Sequence, residues 1–194
     1  MQIVNAIILA GGNSNRFGSP KPFLLFDSKT TYLEKLVNVY LEFGCKKIIL
    51  VINEEHIDTF YKTFPDSFTS KLIIILNSNT GYGRFYSLKK GVRSDHNSDF
   101  CFIQNIDNPF TDTHTLKKLY DNRKENAFVT PVHLNRGGHP ILLSGMILDI
   151  INKETNIDIN FKEFLAQFDK ITVDIENDKI LANINTPADY EKFF

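Results

Sequence analysis

Tryptophan is absent from this chain, and cysteine occurs only at Cys45 and Cys101. Both thiols lie in or beside apolar segments, and a disulfide framework needs more of them. Two reduced, buried cysteines are therefore expected. A zinc site is not expected, because no second His or Cys stands at ligand spacing from His139, and His56, His96, His114 and His133 are scattered. Charge of one sign is lacking too. With a formal net charge of −1, there is no electrostatic case for nucleic acid, whose binders carry a strong basic excess. No apolar run is long enough to span a bilayer. The start, MQIVNAIILAGG, lacks the basic segment of a secretory leader. No membrane partner and a cytoplasmic location are the expectations. Internal repeats and linkers are also missing, so residues 1–194 read as one domain, long enough to bury a sizeable core.

What is present alternates. Apolar, β-branched runs occur at residues 3–9, 47–52, 72–76, 100–103 and 127–132, with helical periodicity between them. TTYLEKLVNVYLEFG has apolar residues on one helical face, Thr30 or Thr31 to cap it and Gly44 to end it. FYSLKKGV and DTHTLKKLYDNRKEN fill two later gaps with helix. GGHPILLSGMILDIINK reads as a short strand followed by a helix. Phe161, Phe164, Leu165 and Phe168 in NFKEFLAQF stand at helical spacing and read as core packing. KITVDIENDKILANIN reads as an antiparallel excursion near the C-terminus. TPADYEKFF reads as a short helix capped by Thr186, with Pro187 at its first position. The expected class is α/β, a doubly wound and mostly parallel sheet with a small antiparallel excursion. Ligands of such sheets bind beyond the carboxyl ends of the strands. The polar residues following the runs that end at Leu9, Leu76, Ile103 and Val132 are therefore expected to share one crevice.

The first run ends in AGGNSNRFGSPK. Successive glycines let backbone N–H groups converge on a phosphate without interference from Cβ atoms. Arg16 and Lys21 can neutralise charge on a triphosphate, and Pro20 and Pro22 stiffen the chain around Lys21. Neither the dinucleotide G-x-G-x-x-G nor the P-loop G-x-x-x-x-G-K-[ST] is present here.

LAGGNSNRFGSPK resembles the signature L-A-[GA]-G-x-S-x-R-[FM]-G-x-x-K of the MobA-like NTP transferase family, the molybdopterin guanylyl- and cytidylyltransferase type. NIDNPF is similar to that family's G-D-x-P block, GGHPILL to its R-G-H-P-x-L block, and NINTPADY to its C-terminal [DN]-x-[DN]-T-P-E-D segment. Four blocks in order cover nearly the whole chain. The resemblance implies a Rossmann-like nucleotidyltransferase fold and Mg²⁺-dependent transfer of NMP from an NTP, GTP or CTP, to a phosphorylated acceptor such as molybdopterin. It implies catalytic roles for Arg16, Lys21 and Asp107, with Asp107 and, less directly, Asn185 holding Mg²⁺. Leu9, Ala10, Gly11, Gly12, Asn13, Asn79 and Ser87 would bind the nucleotide. Arg84, Arg136, His139 and Asn183 would face the acceptor, although Arg84 also reads as a solvated cation at a helix start. Asn183 and Asn185 stand where some relatives carry aspartates, and an amide oxygen adds no charge to a metal site. LAGG and NINTP lean towards the guanylyl type, GRFYSLKKG and GGHPILL towards the cytidylyl type. Another phosphorylated alcohol or sugar phosphate is an alternative acceptor. A catalytically silent nucleotide-binding domain is a different reading, and a nicotinamide-dependent reductase is disfavoured by the missing fingerprint. A monomer or homodimer is expected.

Overall fold

The structure is a computed structural model and describes residues 2–12, 17–95 and 97–194. Elements alternate along the chain: β1 (Val4–Ala10), α1 (Tyr32–Phe43), β2 (Ile48–Asn53), α2 (Ile57–Thr63), α3 (Asp66–Thr69), β3 (Leu72–Asn77), α4 (Gly83–Ser94), β4 (Phe100–Asn105) and α5 (Thr113–Asp121). Then come β5 (Ala127–His133), β6 (Arg136–Gly137), β7 (Ile141–Ser144), α6 (Gly145–Lys153), α7 (Phe161–Leu165), β8 (Asp169–Asp174) and α8 (Pro187–Phe193).

β1 shows why this becomes a three-layer sandwich. All seven of its residues are buried, and successive side chains point to opposite faces. Ala6, Ile8 and Ala10 meet α1, α2 and α5, whereas Ile7 and Leu9 meet α4, α6 and α7. α1 places Leu33, Leu36, Val37 and Tyr40, all fully buried, on the first of these faces. Each such burial is worth about 1.5–3 kcal/mol. Its start is fixed by a capping box in which Thr31 Oγ1 accepts from Glu34 N at 3.2 Å, while Thr31 N donates to Glu34 Oε2 at 2.8 Å. Gly44 ends it at φ 100°, a conformation that costs an L side chain energy.

Among the described residues the eight strands form one sheet in the order β3-β2-β1-β4-β7-β5-β6, with β8 beside β5. β3, β2, β1 and β4 are parallel. The antiparallel element is β7, inserted between β4 and β5, together with the short β5–β6 pairing. The segment read as an antiparallel excursion is different: β8 runs parallel to β5 and is followed by a single helical turn at Asp178–Leu181. α6 and α7 lie between β5 and β8, and a helical crossover returns the chain in the same direction, which a hairpin cannot do. α8 has the capping box and N-terminal proline expected of it, with Asp189 N donating to Thr186 Oγ1 at 3.2 Å.

Candidate active site

The carboxyl ends of β1 and β4 open on a cavity of about 380 Å³. Leu9, Ala10, Gly11 and Gly12 come from β1 and its loop, Arg84 and Ser87 from the start of α4, and Asp107 from the turn after β4. Lys21 and Asn185 complete its wall from distant parts of the chain. Lys21 begins a one-turn helix, Lys21–Phe23, with Pro20 before it and Pro22 inside it. Its Nζ donates to Asn185 Oδ1 at 2.8 Å and lies 3.7 Å from Asp107 Oδ2.

Asp107 is held by the backbone on both sides. Tyr40 OH donates to Gln104 Oε1 at 2.9 Å, and Gln104 Nε2 donates to the carbonyls of Asn105 and Asn108 at 2.9 and 2.8 Å. Asn108 Nδ2 donates to Ile180 O at 2.8 Å, and Ile184 N donates to Asp107 O at 2.8 Å. A fully satisfied buried network of this kind fixes one geometry. Asp107 Oδ1, by contrast, is enclosed and accepts no hydrogen bond. An unpartnered carboxylate oxygen beside this cavity suits Mg²⁺, which takes one or two carboxylates and completes its shell with phosphate oxygens and water. Asn185 fits a metal less well than expected, because its Oδ1 already accepts from Lys21. Among the described residues no cluster of three or more His, Cys, Asp or Glu could hold a metal by itself. Any Mg²⁺ would therefore rest on Asp107 and the nucleotide.

Gly11 is required by close approach. A Cβ there would lie 2.9 Å from Asn77 Nδ2 and 3.3 Å from Ser87 Oγ. Asn77, fully buried, donates to Ser87 Oγ at 3.1 Å and takes the N–H of Asn79 on its Oδ1 at 3.2 Å. It thus ties β3, α4 and the glycine loop together. Reading the sequence missed Asn77 and Asn105, whose signal is an asparagine ending an apolar strand, as at Asn53. β2 and β3 align Asn53 with Asn77, and β1 and β4 align Leu9 with Asn105.

A second cavity, of about 740 Å³, adjoins the first through Arg84. Its wall is mainly apolar: Phe85, Phe128, Ile141, Phe161, Leu165 and Phe168, with Lys162 and Lys170 beside them. Phe164 and Leu165 are buried core as expected, but Phe161, Leu165 and Phe168 also line this space. His139 stands at the seam. Asn105 Nδ2 donates to His139 Nε2 at 2.9 Å, which leaves the proton of a neutral ring on Nδ1. That Nδ1 is enclosed and has no partner. Burial pushes the imidazole down to about 4, the Arg84 charge adds to this, and Asp107 opposes it. The ring is accordingly neutral at pH 7. Gly138 beside it admits no side chain, since a Cβ would lie 2.5 Å from Ile180 O.

Other expected residues stand elsewhere. Asn13 and Arg16 lie outside the described residues. Asn79 and Asn183 are exposed and line neither cavity. Arg136 is exposed on β6, and the polar residues after Val132 do not reach the shared crevice. β7 separates β5 from β4, which moves the end of β5 about 10 Å along the sheet. Among the described residues no helix is long and apolar enough to cross a membrane.

The family model described as "MobA-like NTP transferase domain" matches residues 6–171. A molybdenum cofactor cytidylyltransferase of Escherichia coli K12 is 30% identical over 190 residues, 98% of this chain and 95% of that protein. A probable molybdenum cofactor guanylyltransferase of Flavobacterium johnsoniae is 25% identical over 191 residues, 96% of this chain and 94% of its own. The crystal structure of Rv0371c from Mycobacterium tuberculosis H37Rv has the same fold, with a TM-score of 0.82 at 18% identity, covering 99% of this chain and 97% of that one.

Proposed function

The chain belongs to the MobA-like NTP transferase family, and from that premise we propose that it transfers CMP from CTP to the terminal phosphate of molybdopterin. One observation carries the two-substrate reading: the Lys21–Asp107 cavity opens, past Arg84 and His139, into a second and mostly apolar one. The first suits a triphosphate. The second suits an acceptor with a flat, ring-bearing body, which its phenylalanines can cover, better than an open, hydroxyl-rich sugar phosphate. The relative at 30% identity is named a cytidylyltransferase, which favours CTP over GTP.

An acceptor phosphate oxygen attacks the α-phosphorus, the bond from that phosphorus to the β-bridging oxygen breaks, and pyrophosphate leaves. The attacking group is already anionic, so no strong base is needed. The difficulty is repulsion between anions, and preorganised donors answer it. The N–H groups of Gly11 and Gly12 face the phosphate chain. Lys21, fixed by its prolines and by Asn185, meets the α-phosphate where charge builds. Arg84 draws in the acceptor phosphate, and His139 Nδ1–H donates to the acceptor from the seam. Asp107 would hold Mg²⁺, which when bound offsets phosphate charge.

The test is pyrophosphate release from each of CTP, GTP, ATP and UTP, with molybdopterin and Mg²⁺ present. Release from CTP alone, absent without acceptor, is expected. Release from GTP alone would change the base; no release from any NTP would overturn the proposal.

A further inference from the structure

Away from both cavities, between α4 and the end of α6, lies a third one of about 350 Å³. α4 buries Phe85, Leu88, Lys89 and Val92 along one stripe. A lysine therefore stands where the helical period calls for an apolar residue. Lys89 is 4% exposed. Among the described residues it makes no ion pair and donates no hydrogen bond. Its stem is covered by the stripe while its ammonium, which is not among the enclosed unpartnered atoms, opens on the cavity, as long cationic side chains do when they bury the stem and keep the charge in water. Burial holds this ammonium below its ordinary pKa, Arg93 adds to the effect, and Glu154 opposes it.

The same cavity is lined by Lys90, Arg93 and Lys153, against one carboxylate, Glu154. Glu154 Oε1 is itself taken by the N–H groups of Thr155 and Asn156, at 2.8 and 2.9 Å. Lys90 is partly engaged, donating to Leu76 O at 3.0 Å with its Nζ 5.4 Å from the Tyr86 ring centroid. A chain of net charge −1 has thus gathered four cations around one acid here.

We propose that this third cavity binds a small phosphate anion of two or more negative charges, at a site distinct from the nucleotide cavity. A tetrahedral phosphate has enough oxygens to accept from Lys89, Arg93 and Lys153 together, and such charge-assisted bonds are the strong ones. A lone carboxylate would leave most of this positive charge unanswered. Tyr86 lies on the same wall, and its hydroxyl accepts from Asn79 Nδ2 at 3.5 Å. α4 joins the two phosphate sites, with Arg84 and Ser87 on the first cavity and Lys89 and Arg93 on the third. The anion has two possible sources, the pyrophosphate released by transfer or an unrelated phosphate ester.

Calorimetric titration of the full chain with pyrophosphate, and separately with inorganic phosphate, in magnesium-free buffer tests this. Lys89→Met keeps the side-chain length on an apolar stripe and Arg93→Gln changes an exposed position, so both variants should fold. Each is expected to weaken one bound equivalent of pyrophosphate about tenfold or more, with CTP binding in the first cavity unchanged. Preference for pyrophosphate over phosphate at this site identifies the released product as its occupant; equal affinity identifies a general phosphate ester. Superimposable titrations of the unmodified chain and both variants would overturn the proposal. Lys89 would then only hold its stem against the core and its charge in water.

Discussion

Protonation of His139 sets an acid limit on this fold whose size follows from the structure. The ring is held down to about 4, against an ordinary value of 6.5, chiefly by burial and secondarily by Arg84. The unfolded chain therefore binds the proton more readily, and stability is lost as pH falls from the unfolded value towards the folded one. Linkage makes the loss about 1 kcal/mol near pH 5.5 and about 2–3 kcal/mol near pH 4.5. Geometry gives the same sign: a proton on Nε2 would face the Asn105 amide nitrogen, donor against donor. Urea unfolding of the unmodified chain and of His139→Gln, across that pH range, isolates the effect because the other acid-sensitive groups are common to both. The two stability curves should converge as pH falls. Adding Arg84→Gln to the unmodified chain should shrink the acid loss, since one cause of the depression is removed. Curves that stay parallel from about pH 7 to pH 4.5 would refute the reasoning and place His139 outside any buried, neutral role.

Lys21→Ala should lower turnover about 100-fold or more while changing CTP affinity several-fold at most, because its charge acts where charge develops in the transition state; stopped-flow and equilibrium binding separate the two. Gly11→Ala should weaken CTP binding about tenfold, since its Cβ displaces Asn77 from Ser87; a binding isotherm unchanged from the parent would contradict this. Chelation of Mg²⁺ by EDTA should abolish pyrophosphate release, with recovery on adding the ion back, and Asp107→Asn should need far more Mg²⁺ for half-recovery. Thr186→Ala should cost about 1 kcal/mol in urea unfolding through loss of the α8 cap.

Local features carried well from sequence to structure. Thr31 and Gly44 bound α1, Thr186 and Pro187 open α8, and Gly11 and Gly12 line the first cavity, because caps and glycine turns are decided by neighbouring residues. Pairing was not legible. An apolar run such as ILLS reveals that a strand forms but not its partner or direction, so the insertion of β7 and the parallel course of β8 were missed. The position of Arg136, exposed on β6 and lining neither cavity, was hidden for the same reason. Asn77 and Asn105 escaped notice because a single asparagine at the end of a strand has no period to expose it. Asn185 was read as a metal ligand, and only the three-dimensional approach of Lys21 shows its oxygen engaged.

Lys21 and Asn185 are 164 residues apart, and Asp107 meets the segment between them through the N–H of Ile184. During synthesis on the ribosome, β1 to α7 emerge before the segment that carries Asn185, so this wall of the cavity is completed last. On the proposed mechanism, no transfer is expected from a nascent chain until residues 180–185 have emerged and docked. On that proposal activity is a property of the finished fold, and copies ending before residue 180 are expected to leave the nucleotide pool untouched.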